Sequence, residues 1–129
     1  MKGSILCWKA EYDSGINEID LQHRYFMTLI NRMNSELSVC DDETYRERLF
    51  NELAKYAVFH FVSEENLMIK FGYPEFERHH LLHLDLINKL SWRTRGESHE
   101  AFIEFLVTWF IQHTVEEDHR IGEFVRGRA

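Results

Sequence analysis

The chain has 129 residues, a formal net charge of −7, 44% hydrophobic and 14% aromatic residues, and only six Gly and one Pro. That length suits one core of ordinary size, and an acidic balance without any Lys/Arg run excludes a phosphate-backbone partner, so no nucleic acid is expected. Cys7 and Cys40 lack the CxxC spacing of a zinc site and are too few for a disulfide framework, so two free thiols in a reducing compartment are expected.

The amino terminus carries an apolar run of only Ile5 to Trp8, too short for a secretory signal, and no stretch nears the roughly 18 apolar residues of a membrane span. A soluble, cytoplasmic protein with no membrane span is the expectation. Helical periodicity begins at about Ile19, after "DSGINE", and runs to Leu37 with Phe26, Leu29, Ile30, Met33 and Leu37 on one stripe. A second helix starts at the acidic "CDDET", where Asp41, Asp42 and Glu43 suit an N-terminus, and stops at Phe71 before Gly72. Pro74 predicts the start of a third helix that continues to about Trp92. After "RTRGES" a fourth runs from near Ser98 to about Val125.

Long helices with short connections pack as antiparallel neighbours. The fold class is therefore all-α, an antiparallel up-down-up-down four-helix bundle with an N-terminal arm. One domain is expected over residues 1–129, with residues 1–17 as the arm and 18–129 as the bundle; Trp8 and Tyr12 are available to pin the arm down.

The stripes meant for the core carry polar residues. On the second helix His60 and Glu64 stand in register with Leu49, Leu53, Ala57 and Met68; on the third His79 and His83 stand with Phe76, Leu86 and Leu90. On the fourth His113 follows Phe102, Leu106 and Trp109, and on the first His23 precedes Phe26 by one turn. Burying an ionisable group is costly unless it is paired or binds a metal. A single histidine on an apolar stripe is more often a hydrogen-bonded core residue, but five of them with a glutamate, on four converging helices, point to a metal site. His79 and His83 lie about 40° apart round the helix and reach one metal together, whereas His80 is turned by about 100° and reads as a surface residue. His99 and His119 read the same way. Imidazole and carboxylate without thiolate suit iron, zinc, copper or nickel, and the ligands are too many for one ion.

The series "IDLQH" with His23, "HFVSE" with His60 and Glu64, "YPEFERHHLLH" with His79 and His83, and "HTVEED" with His113 and Asp118 resembles the hemerythrin family, specifically its single-domain bacterial members. The likeness extends to Trp8, to "GINEID" and to the "WF" before His113. It implies a cofactor of two iron ions, a non-haem diiron centre with a hydroxo or oxo bridge and two carboxylate bridges. His79, His83 and His113 would hold one iron, His23 and His60 the other, and Glu64 and Asp118 would bridge. Two octahedral ions offer twelve positions, of which five imidazoles, two bridging carboxylates and one bridging hydroxide fill eleven. The open position falls on the iron held by His23 and His60, where dioxygen is expected to bind. Asp118 stands five residues after His113, where Glu117 at four would suit a regular helix, so the resemblance implies a π-type distortion there, with Glu117 as the runner-up bridge.

Beside the dioxygen pocket the family commonly has Trp-Leu before the last histidine and Ile after it, whereas here Trp109, Phe110 and Thr114 stand. A bulkier ring and a polar hydroxyl change pocket size and water exclusion. The expected function is reversible dioxygen binding for storage, delivery or scavenging, with no enzymatic activity. The alternative is an oxygen- or redox-sensing module of a signalling system, although only eleven residues follow Asp118 and leave no length for an output domain. A ferritin-like oxygenase or ferroxidase would use four glutamates and two Glu-x-x-His motifs, a more anionic set than this one.

Overall fold

A computed structural model describes residues 5–91 and 99–128. Among them four rods form the expected antiparallel bundle: α1 (Asn17–Leu37), α2 (Glu43–Phe71), α3 (Phe76–Ser91), and a fourth made of α4 (His99–Gln112), a π-helical stretch (His113–Asp118) and α5 (His119–Arg126). α1 packs on α2 and α4, and α2 also packs on α3 and α5. No described residue is in a strand, and no helix among them is long and apolar enough to cross a membrane.

Local chemistry sets the helix ends. The Asp42 carboxylate accepts from the Thr44 and Tyr45 amides at 3.0 and 3.4 Å and starts α2. Gly72 ends it in the left-handed region, φ 69°, while the Gly72 and Tyr73 amides donate back to Ile69 O and Met68 O. Two boundaries differ from expectation. Asn17, assigned to the arm, is already helical, and α3 starts at Phe76 instead of Pro74 because Pro74 and Glu75 make a turn closed by Phe76 N donating to Tyr73 O. The expected third-helix end at Trp92, the "RTRGES" connection and the fourth-helix start at Ser98 lie outside the described residues.

The arm is held where the sequence places its aromatics. Asn31 Oδ1 accepts from the Ile5 and Leu6 amides and its Nδ2 donates to Leu6 O at 2.9 Å. The Arg24 guanidinium lies 4.2 Å from the Trp8 ring centre, and the buried Tyr12 ring meets Phe110 edge-on. The arm then crosses Gly122, where a Cβ would meet Ser14 O at 2.0 Å, so only glycine permits this approach.

The apolar core is in two parts. The larger gathers Phe26 to Leu37 of α1, Leu49 to Phe61 of α2, Leu86 and Leu90 of α3, and Phe102 to Phe110 of α4. The smaller holds Met68, Tyr73, Ile121 and Val125. On every rod the inward histidines and acids fall in the turns between these two clusters, so the polar layer is sealed from both ends.

Candidate metal centre

Burial of this layer is nearly complete: His23, His60, Glu64, His79, His83 and Asp118 are at most 1% exposed and His113 is 5%. Their donor atoms make two groups, one of Glu64, His79, His83, His113 and Asp118, the other of His23, His60, Glu64 and Asp118, each with its atoms within 4.8 Å of one another. Glu64 and Asp118 belong to both. The Glu64 Oε1 oxygen lies 2.8 Å from His79 Nε2 and 2.9 Å from His83 Nε2, while Oε2 faces His60 and His23 at 3.6 and 3.8 Å. Asp118 divides likewise, with Oδ1 3.0 and 3.1 Å from His79 and His113 and Oδ2 2.8 Å from His23.

The π-helical stretch explains how Asp118 comes to be here. Its i→i+5 repeat returns residue 118 to the side of His113, which a regular helix would not do. Glu117 turns outward instead and takes Arg78 in a two-pronged pair, 2.6 and 2.8 Å, which holds its carboxyl below the usual range.

Electrostatics separate His60 from His79 and His113. Burial pushes the His60 imidazole down to about 4, with Glu64 opposing only in part. Burial also opposes charge on His79 and His113, yet Asp118 and Glu64 outweigh it and push them up to about 10 and about 9. Both carboxyls are held well below their ordinary values: burial favours the neutral acid, and the imidazoles of His113, His79 and their neighbours overcome it.

The residues fit a pair of metal ions on one further observation. His23 Nδ1 and Nε2, His113 Nε2, Glu64 Oε2 and both Asp118 oxygens are buried without a hydrogen-bond partner. Several lie at hydrogen-bonding distance from one another, as His23 Nε2 and Asp118 Oδ2 do at 2.8 Å, but not at hydrogen-bonding angles. His79 Nε2 and His83 Nε2 do meet Glu64 Oε1 in hydrogen-bond geometry, but the remaining buried donor atoms crowd together without partners, which a metal would satisfy and a buried polar core otherwise avoids.

Aromatic rings wall the layer. Phe61 stacks on His83, centroids 3.9 Å apart and 6° from parallel, and Trp109 stacks on His113 at 4.4 Å and 11°. Phe110 sits on the other side, its ring 6.0 Å from His23 and 5.6 Å from Phe26. Of the three residues assigned to the dioxygen pocket, then, Phe110 is beside the two-histidine group, Trp109 is beside the three-histidine group, and Thr114 is buried one residue after His113. His99 is half-buried against Phe50 and His119 pairs with Glu123 at 3.0 Å; neither belongs to the layer.

Sequence reasoning missed the residues that orient the inward histidines. His60 Nδ1 donates to Gln22 Oε1 at 2.7 Å, and the amide is oriented by Gln22 Nε2 donating to Ser63 Oγ at 3.0 Å. His83 Nδ1 donates to Glu65 Oε2 at 2.8 Å, and so does His80 Nδ1. The one sequence signal for them is adjacency to an inward polar residue: Gln22 precedes His23, and Glu65 follows Glu64.

The comparisons with known proteins agree with this geometry. The family profile of the hemerythrin HHE cation binding domain matches residues 14–125. The bacteriohemerythrin of Clostridium acetobutylicum is 30% identical over 122 residues, covering 86% of this chain and 94% of its own length. That of Stenotrophomonas maltophilia is 27% identical over 128 residues, covering 95% and 83%. In three dimensions the crystal structure of a wild-type hemerythrin superposes with a TM-score of 0.80 over 94% of this chain and 98% of that one, at 24% identity. By profile, relatives and fold, the chain belongs to the hemerythrin family.

Proposed function

We propose that this chain binds dioxygen reversibly at a non-haem diiron centre. His79, His83 and His113 would hold one iron and His23 and His60 the other, with Glu64 and Asp118 shared between them. The observation that carries the reading is that both carboxylates belong to both donor groups, each turning one oxygen to the three-histidine side and the other to the two-histidine side. When bound, ferrous ions supply the electrons by which dioxygen is taken up and given back.

The protein's own part is to hold, exclude and admit. With a bridging hydroxide, the five imidazoles and two carboxylates would leave one position open on the two-histidine side, and Phe110 lies beside that side with its ring nearly perpendicular to His23. Tyr12 of the arm backs Phe110, so water is kept from the short side by two packed rings. Burial of His60, which keeps its imidazole uncharged, holds it ready as a ligand at neutral pH.

The test is anaerobic reduction of iron-loaded protein, exposure to oxygen, and removal of oxygen, with visible absorption followed throughout. A band that forms and disappears reversibly, with iron near two equivalents per chain, is the expected result. A spectrum that changes on the first exposure and does not return when oxygen is removed, or one zinc with negligible iron after iron-replete expression, overturns the proposal.

A further inference from the structure

Each half of the centre has one histidine whose outer nitrogen is hydrogen-bonded to a side chain, and the two supports differ in charge. On the two-histidine side His60 Nδ1 donates to a neutral amide, Gln22 Oε1. The Tyr56 hydroxyl fixes that residue's backbone by donating to Gln22 O at 2.8 Å. On the three-histidine side His83 Nδ1 donates to a carboxylate, Glu65 Oε2. A carboxylate oxygen only accepts, so the two Nδ1 atoms that converge on Glu65 Oε2 at 2.8 Å, those of His83 and His80, both carry protons. His80 is the brace. Its side chain is 34% exposed, it stacks on Phe76 at 5.7 Å with the rings 8° from parallel, and it holds the Glu65 oxygen in place from the solvent side.

We propose that Glu65 is a positioning residue for the three-histidine side. By accepting from His83 Nδ1 it leaves Nε2 as the nitrogen that faces the metal, and by its charge it makes this side the tighter of the two metal positions. The inference rests on the diiron reading of the seven inward residues. A hydrogen bond to a carboxylate is roughly twice as strong as one to an amide, and it raises the donor strength of the imidazole's far nitrogen. Gln22 orients His60 in the same way without adding charge, so the two-histidine side keeps its ligand geometry but binds more weakly. His80 owes its place beside the ligands to this role. It is not a ligand itself, since its ring is turned away from the layer.

The test uses zinc alone as the probe, which removes oxygen chemistry from the readout. Chelator-stripped protein is titrated with zinc against a competing chelator to give the two stepwise affinities, and the Nδ1–H proton of His83 is followed by NMR in the zinc-loaded form. Glu65→Ala is expected to weaken the tighter step by about 10- to 100-fold and to expose the His83 Nδ1–H to rapid exchange, leaving the weaker step within a few-fold. Glu65→Gln keeps an acceptor and is expected to restore the protected proton while recovering only part of the affinity. Gln22→Ala should act on the weaker step instead. If neither Glu65 variant changes the tighter step, or if both steps weaken equally, the proposal is overturned while the diiron reading stands. If the parent protein takes up no zinc, the diiron reading fails and this inference with it.

Discussion

The two halves of the polar layer use the same ligand types and differ in what surrounds them. The three-histidine half is walled by flat stacks, Phe61 on His83 and Trp109 on His113, and backed by a carboxylate. The two-histidine half meets its rings edge-on, Phe110 against His23 and Phe26 against His60, and is backed by an amide. Stacked imidazoles are held in one plane. Edge contacts leave more freedom on the two-histidine side, where the proposed function puts the open position. The difference teaches that two carboxylates shared evenly between the halves are compatible with unlike surroundings on either side, which is what the proposed function asks of them.

The largest expected effect tests the shared members. Asp118→Ala removes an acid that faces both halves, so iron analysis after reconstitution should show both ions lost; retention of one would show that Asp118 serves a single side. Next come changes confined to one half. His79→Ala or His83→Ala should abolish or disrupt the diiron spectrum, whereas His60→Ala should leave about one equivalent of metal on the three-histidine side, since a three-imidazole site with carboxylate oxygens remains complete. Equal loss in all three variants would break the distinction between the halves.

Without metal, His60 should titrate in the opposite direction to His79 and His113. His79 and His113 have folded values raised to about 10 and about 9, above the 6.5 of the unfolded chain, so their contribution is fully present below 6.5 and is lost as pH rises through about 9 to 10. His60 has a folded value lowered to about 4, so its contribution is present above 6.5 and is lost as pH falls toward 4. Chemical denaturation of chelator-stripped protein across that range should give a stability maximum between these limbs. His113→Gln should flatten the alkaline limb and spare the acid one; a flattened acid limb would contradict the assignment.

Smaller effects are expected from the walls. Phe110→Leu removes a fully buried ring on the two-histidine side, costing about 1–3 kcal/mol by denaturation and quickening oxygen uptake and release in stopped-flow measurements. Trp109→Phe, on the other half, should leave those rates within a few-fold. Thr114→Ile replaces a buried hydroxyl that can orient water, so the oxygenated band should decay more slowly than in the parent at one pH. Faster or unchanged decay would show that Thr114 has no part in water access.

The sequence by itself determined the bundle, since helical periodicity, the acidic cap at Asp42 and the stop at Gly72 are local properties of the chain. It also determined that His23, His60, Glu64, His79, His83 and His113 face inward, because each falls on an apolar stripe whose register is fixed by neighbours three and four residues away. Asp118 is different: five residues from His113, it reaches the layer only through the π-helical turn, a geometry that no local propensity favours and that tertiary packing sustains. Tertiary structure alone also decided that Glu117 goes to Arg78, that Trp109 and Phe110 belong to opposite halves, and that His80 meets His83 at a single oxygen of Glu65. Each of these depends on which side chain a different helix presents at the same height, and periodicity reports the face of a helix but not its partner across the core.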